Sequence, residues 1–170
     1  KQMRPGKYEK VFSVYKFRTM IIEAEKDGRL LTDIERVTKV GIILRKTSID
    51  ELPQLFNILR GDMSFIGPRP LLIRYLPYYT ANEQRRHYVA PGISGWAQVN
   101  GRNSVKWNDR LKLDIYYVDN ISLMLDMKII ILTIFKVLKR ESVVVLNEDY
   151  MLDLDVERGS SYGNRNVTGA

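Results

Sequence analysis

The chain has 170 residues, 45% of them hydrophobic and 28% charged, which suits one domain with its own core and excludes disorder over most of its length. It has no cysteine and a single histidine, His87, so disulfides, thiolate metal sites, cysteine nucleophiles and multi-histidine metal sites within the chain are excluded. The net charge of +7 is uneven: residues 141–170 hold six acidic and two basic residues, net −4, which leaves +11 on residues 1–140, a body that attracts nucleic acid, anionic lipid or phosphorylated small molecules.

The chain begins at Lys1 with what reads as mid-domain sequence, with neither a signal peptide nor a transmembrane helix, so residues are expected upstream. Residues 11–20 alternate through Val11, Phe12, Val14, Tyr15 and Phe17 and predict a strand. Residues 20–31 are charged and predicted helical at first, with a turn at Asp27-Gly28. A helix is predicted over 32–44, with Ile34, Val37, Val40 and Leu44 at helical spacing. The clearest helix is 48–60. Ser48 and Glu51 have capping-box spacing, and Asp50 is the alternative N-cap, which would put Pro53 in the first turn. Its apolar face is Leu52, Leu55, Phe56 and Leu59, and Gly61 stops it.

Residues 61–70 form a Gly/Pro loop, 71–79 are apolar and aromatic, and 80–88 read as a basic helix capped by Thr80 or Asn82, with His87 as a surface residue. Pro91, Gly92, Gly95 and Gly101 make 90–103 a long structured loop, a kind of segment that often carries function. Helices are predicted over 107–119 and 122–140. The stretch 123–138 is apolar on almost every side, yet Asp126, Lys128 and Lys136 make it too short and too charged to span a bilayer. It is either a buried core helix or a helix lying at a membrane surface, with Lys136, Lys139 and Arg140 near headgroups. The tail from Val143 has weak signals, and 159–170 is expected to be disordered.

Four places can carry chemistry. Asp50-Glu51 lies at a helix start, where a carboxylate could attack phosphorus while its neighbour holds a metal; Arg45 and Lys46 just upstream, with Mg²⁺, would offset the repulsion between a carboxylate and a diphosphate. The alternative is a plain cap. Arg69, between Pro68 and Pro70, is a guanidinium on a stiffened loop that could meet phosphate oxygens bidentately. Lys16 and Arg18 share one face of the early strand. Arg102 closes a loop whose glycines permit close backbone approach. Asp114 and Asp126, among apolar neighbours, are each a candidate buried partner for one of these arginines or a solvated helix residue.

In order along the chain, Lys16-Phe17-Arg18-Thr19-Met20, Arg45 followed by Ser48-Ile49-Asp50-Glu51-Leu52-Pro53-Gln54-Leu55, Gly61-Asp62-Met63-Ser64 with Gly67-Pro68-Arg69-Pro70, Pro91-Gly92-Ile93-Ser94-Gly95-Trp96-Ala97-Gln98-Val99-Asn100-Gly101-Arg102, and Leu113-Asp114-Ile115-Tyr116-Tyr117-Val118 resemble the bacterial sugar transferase family of monotopic polyprenyl-phosphate phosphoglycosyl transferases. The resemblance covers about residues 1–140, leaving 141–170 as an acidic, variable tail.

The resemblance implies a Mg²⁺-dependent enzyme that moves a sugar phosphate from a UDP-sugar to undecaprenyl (polyprenyl) phosphate, the first membrane step of exopolysaccharide, capsule or glycoconjugate synthesis. Asp50 would be the nucleophile, expelling UMP and forming a phosphosugar–aspartyl intermediate. Glu51 would ligate Mg²⁺ and Arg69 would contact the nucleotide or a phosphate. Lys16, Arg45 and Arg102 match basic positions of the family's site, and Asp114 an acidic one. The expected architecture is α+β, mostly helical with a small β element, a single membrane-associated catalytic domain on the cytoplasmic face of the bacterial inner membrane. The family's N-terminal membrane segment is absent from this sequence. The competing classes are a nucleic-acid-binding module, against which the basic residues are scattered through loops and not clustered on one helix, and an inactive scaffold, against which the dyad is intact.

Overall fold

A computed structural model describes residues 1–22, 25–26, 28–101, 106–139 and 152–163. The architecture is α+β, mostly helical with a few small sheets, as the sequence leads one to expect.

Strands β1 (Gln2–Pro5) and β2 (Val11–Val14) pair antiparallel, with Gln2 opposite Val14 and Pro5 opposite Val11. The predicted strand over 11–20 stops at Val14 because its next backbone donors are claimed elsewhere. The Tyr15 N–H donates to Asn57 Oδ1 at 3.1 Å, and the Phe17 N–H donates to the Asp50 carbonyl at 3.0 Å. Lys16 and Arg18 therefore do not form a strand face: Lys16 is directed at the acid pair and Arg18 is exposed. Among the described residues of 20–31 none is helical; they contain the short hairpin β3 (Glu25–Lys26) and β4 (Arg29–Leu30), turned at Gly28 with φ +75°.

The helix predicted over 32–44 is two helices, α1 (Asp33–Arg36) and α2 (Lys39–Lys46). Between them Val37 forms an isolated bridge to Met20, and Thr38 caps α2 by accepting the Gly41 N–H on its hydroxyl at 2.9 Å. Gly41 faces inward, where a Cβ would sit 2.0 Å from the Thr19 carbonyl oxygen. That docking turns Val40 outward together with Ile43, so of the predicted apolar stripe Val40 is exposed while Val37 and Leu44 are half-buried.

The segment predicted as the clearest helix is a 3-10 turn, Ile49–Gln54, continuing into α3 (Leu55–Leu59). Its amphipathicity is inverted. Leu52, Leu55, Phe56 and Leu59 are exposed, Phe56 by 65% and Leu59 by 83%, while Asp50, Gln54 and Asn57 are buried. The polar residues are the ones with partners inside. Asn57, with no exposed surface, accepts from Tyr15 N–H and donates to the Ser13 carbonyl at 2.8 Å. Gly61, at φ +78°, ends the helix as expected.

The two loops read from Gly and Pro each contain a strand. β5 (Ser64–Ile66) and β6 (Gly92–Ser94) pair in parallel, with Ser64 opposite Gly92 and Ile66 opposite Ser94. Gly92 serves backbone-to-backbone packing: a Cβ on it would lie 2.1 Å from the Gly67 nitrogen. Between these strands run a 3-10 stretch (Ile73–Tyr78), helix α4 (Ala81–Gln84), closed by a capping box of Thr80 and Glu83, and a second 3-10 turn (Arg85–Tyr88). His87 is buried and not a surface residue. Burial and the neighbouring Arg86 charge push its pKa down to about 4, so it is neutral.

Helix α5 (Trp96–Asn100) follows β6, then α6 (Trp107–Asp119) and α7 (Leu123–Leu138), the last capped by Ser122. One side of α7, around Ile129, packs with Ile66, Val99 and Tyr117. Its other side, including Leu123, Met124, Ile131, Ile134, Phe135 and Leu138, is exposed. The helix is thus a core helix on one face and an apolar surface helix on the other. Lys136 donates to the Gln98 carbonyl at 3.2 Å, so it is tied to the protein. Among the described residues no helix is long and apolar enough to cross a membrane.

The second core joins Tyr75, Tyr79, Trp107 and Leu111 to Leu154 of α8 (Leu154–Gly163). A piece of the tail is therefore an ordered helix in contact with the body, and it continues past Gly159 to Gly163 where disorder was expected. Residues 164–170 lie outside the described residues.

Candidate active site

The site is built from the backbone that Asn57 and the Asp50 carbonyl fix. Those two groups hold residues 15–17 alongside the 3-10 turn, and this delivers the Lys16 ammonium to the two carboxylates at its start. Lys16 Nζ lies 2.8 Å from Asp50 Oδ2 and 3.4 Å from Glu51 Oε1. Arg69 Nη2 reaches the same Glu51 Oε1 at 2.6 Å. Asp50 is 2% exposed.

Ser48, just ahead of the pair, is left-handed at φ 55° and its side chain caps nothing. The expected capping box is not formed, because Glu51 turns its carboxylate to Arg69 and Lys16. Nor is Asp50 the cap; it is the second residue of the turn. A non-glycine residue in that conformation stores strain, and here it lies two residues before the dyad.

Burial alone would raise the pKa of Glu51, but Arg69, by charge and hydrogen bond, and Lys16 outweigh it and hold the carboxyl below its ordinary range. Arg69 is in turn held above its ordinary value, chiefly by Glu51. The site is an interlocked set of two anions and two cations.

Arg69 is fixed from behind. The Arg86 guanidinium donates to the Arg69 carbonyl at 2.8 Å and, through Nε and Nη2, to Asp114 Oδ2 at 3.1 and 2.8 Å. Both members of this pair are buried. Burial pushes the Asp114 carboxyl up, and Arg86 opposes that rise. Asp114 thus has a buried arginine partner, Arg86, and acts on the loop that carries Arg69 from outside the pocket. Asp126 accepts instead from the Tyr117 hydroxyl at 2.8 Å.

A small open pocket of about 50 Å³ adjoins the cluster, lined by Gln2 and Arg4 from β1, by Val14, Lys16, Gln54, Arg69 and Pro70, and by Gly92 at the start of β6. Of the residues singled out in the sequence, the fold brings together Lys16, Asp50, Glu51 and Arg69. Arg45 makes none of these ion pairs and instead donates to the Thr19 hydroxyl at 3.0 Å. Arg102 lies outside the described residues.

Sequence reasoning missed Asn57, Arg86, Gln54 and Arg4. Asp50, Gln54 and Asn57 are spaced four and three apart, so they share a helical face. That signal was present but was assigned to solvent, because the opposite face is apolar. Nothing local distinguishes Arg86 or Arg4 from a surface arginine.

A buried carboxylate held by an ammonium, beside a second carboxylate and a cationic pocket, can bind a phosphorylated ligand and present an oxygen nucleophile to it. Among the described residues no three acids or histidines are placed to hold a metal ion. Both cations meet Glu51 at Oε1 and Lys16 meets Asp50 at Oδ2, so Glu51 Oε2 and Asp50 Oδ1 have no hydrogen-bond or ion-pair partner among the described residues. That donor set fits Mg²⁺, which typically takes one or two carboxylates and completes its shell with substrate phosphates and water.

The sequence profile described as bacterial sugar transferase matches residues 1–140, and the chain belongs to that family. Among its relatives are an uncharacterized sugar transferase, EpsL, of Bacillus subtilis, 56% identical over 86% of this chain and 73% of its own; an undecaprenyl-phosphate galactose phosphotransferase of Salmonella typhimurium, 40% identical over 81% of this chain; and a UDP-glucose:undecaprenyl-phosphate glucose-1-phosphate transferase of Escherichia coli, 42% identical over 80% of this chain. The chain spans only 33% and 32% of the last two.

Proposed function

We propose that this chain carries the catalytic site of a transferase that moves a sugar 1-phosphate from a UDP-sugar to undecaprenyl phosphate, with release of UMP. The observation that carries this is the buried Asp50, ion-paired to Lys16 at 2.8 Å and flanked by Glu51 and Arg69, in a family whose relatives are named for that transfer.

The Lys16 ammonium holds the Asp50 carboxylate in place, and a carboxylate oxygen is a competent nucleophile toward phosphorus. An Asp50 oxygen attacks the β-phosphorus of the UDP-sugar; a phosphorus–oxygen bond forms to Asp50, and the bond from that phosphorus to the oxygen bridging the α-phosphate breaks. UMP leaves with the electron pair, and a phosphosugar–aspartyl ester remains. An oxygen of undecaprenyl phosphate then attacks the same phosphorus, and the ester bond breaks to restore Asp50. Lys16 gives up its contact with Asp50 as that oxygen becomes an ester, which frees its ammonium for the phosphoryl oxygens. Arg69, held through Arg86, orients the diphosphate from the other side. Mg²⁺ bound at Glu51 would supply further charge neutralisation at the phosphates.

The acceptor is a lipid, and the exposed apolar faces of α3 and α7 fit a membrane surface better than bulk water. The +11 charge of residues 1–140 suits anionic headgroups.

The test is UMP release from a panel of UDP-sugars by the full-length protein in nanodiscs, with undecaprenyl phosphate and Mg²⁺. Wild type is expected to release UMP from at least one sugar and Asp50→Asn from none. A folded, membrane-bound wild type that releases none from any sugar refutes the assignment.

A further inference from the structure

The pocket beside the dyad has a third cation that the interlocked set leaves over. Lys16 and Arg69 are each paired with a carboxylate, whereas Arg4 makes no ion pair among the described residues and is held only by Gln2, whose Oε1 accepts from its Nη2 at 3.0 Å. Strand pairing fixes its position. Gln2 and Arg4 project from the same face of β1, and Val14, opposite Gln2, lines the same pocket. The charges around Arg4 work against it. Arg69 and Arg74 lie within electrostatic reach, and burial together with these two like charges pulls its pKa down; only Tyr75 opposes them. Arg74 already has acidic partners in Asp153 and Asp155, so Arg4 is the pocket's surplus positive charge.

A half-buried guanidinium beside two other cations costs stability unless an anion completes it. The pocket that it lines also contains Lys16 and Arg69, the two groups already pointed at the dyad. A phosphate bound there would be gripped on one side by Arg4 and would lie next to the carboxylates on the other.

We infer that Arg4 is a substrate-binding residue that grips a phosphate group of the nucleotide diphosphate as it lies against the Asp50–Glu51 pair. This rests on the function proposed above, although the anion site itself can be tested without turnover. The same chemistry could serve the phosphate of the lipid acceptor, and separate KM values distinguish the two sources.

The experiment compares wild type, Arg4→Gln, Arg4→Lys and, as a control for bulk charge, Lys10→Gln at an exposed position of the same hairpin. In nanodiscs, KM for the UDP-sugar and KM for undecaprenyl phosphate are measured separately. In parallel, the shift in melting temperature produced by inorganic pyrophosphate is recorded for each protein. Loss of one charge-assisted hydrogen bond predicts a KM for the UDP-sugar raised about tenfold or more in Arg4→Gln, with partial recovery in Arg4→Lys, no change in Lys10→Gln, and loss of the pyrophosphate shift in Arg4→Gln alone.

A rise confined to the KM for undecaprenyl phosphate overturns the nucleotide assignment and moves the grip to the acceptor. Unchanged KM values with an intact pyrophosphate shift overturn the inference, as does a fall in kcat alone with both KM values unchanged. Should wild type turn over no UDP-sugar, the function proposed above fails, and the pyrophosphate shift alone decides Arg4: present in wild type and absent in Arg4→Gln supports the anion site, and the same in both refutes it.

Discussion

Arg86 is buried almost completely, and so is the carboxylate that neutralises it. Desolvating both ions is costly, and Asp114 offsets that cost only while both remain. The pair also has a task at a distance, because the same Nη2 holds the Arg69 carbonyl and thereby the loop whose side chain meets Glu51. Asp114→Ala should therefore lose about 3–5 kcal/mol of stability, since an unpaired buried guanidinium remains. The double variant Arg86→Met with Asp114→Leu should recover most of it but not the activity, because Arg69 loses its anchor. Urea denaturation of wild type and the two variants checks this; a double variant no more stable than Asp114→Ala would mean that the pair supplies net stability of its own. Asn57 works by the same logic without charge: its amide satisfies a donor and an acceptor of the departing strand, so burial carries no penalty.

Two elements behave differently from what their patterns suggest. The 3-10 turn and α3 bury their polar face because the site lies beneath it, and their apolar face is left outside. If that face meets lipid, Phe56→Ser with Leu59→Ser should leave the melting temperature nearly unchanged, since both side chains are exposed. Binding to vesicles containing anionic lipid should weaken about a hundredfold or more, from roughly 1.5–3 kcal/mol for each of the two large apolar side chains withdrawn. Flotation measures this, and equal binding by variant and wild type would show that the face does not dock.

The other element is α8. Leu154 fills the core beside Trp107, whose indole N–H donates to the Leu152 carbonyl at 2.7 Å. Arg158 grips both Glu83 oxygens at 2.7 Å. Burial would raise the Glu83 carboxyl, but Arg158 and the Thr80 backbone and hydroxyl outweigh it and hold the pKa below the ordinary 4.5. A carboxyl depressed on folding contributes stability that is present above about pH 4.5 and is lost as pH falls through its lower folded value. Arg158→Met should thus be less stable than wild type at pH 7, with a gap that narrows below pH 4.5. Denaturation at pH 7, 5 and 3 checks the sign; a gap of equal size at pH 3 would assign the loss to packing by the arginine stem.

At the scale of the whole molecule, charge, apolar surface and site agree. Residues 1–140 carry +11, two helices expose apolar faces, and the pocket between the hairpin and the Arg69 loop is cationic. An ionic attraction to anionic lipid should be screened by salt while an apolar one should not. Vesicle binding is therefore expected to fall between 50 and 500 mM salt without vanishing. Complete release at high salt would make the contact purely electrostatic; no change would make it purely apolar.

What the sequence determined by itself was local chemistry in order: the Asp50-Glu51 pair, the stiffened Arg69 loop, Lys16, the Gly61 stop, helices α6 and α7, the mostly helical α+β class and the family. Each is set by residue type and short spacing, which the chain carries without folding. What only the tertiary structure decided was which side of each element faces inward. Residues 48–60 read as an ordinary amphipathic helix, and no local rule says that its polar side is buried, because the partners of Asp50 and Asn57 come from residues 13–17, more than thirty positions away. For the same reason Gly92 spaces one backbone from another, Asp114 finds Arg86, and the tail docks on Trp107. Each depends on long-range contacts whose geometry exists only once the chain has closed on itself.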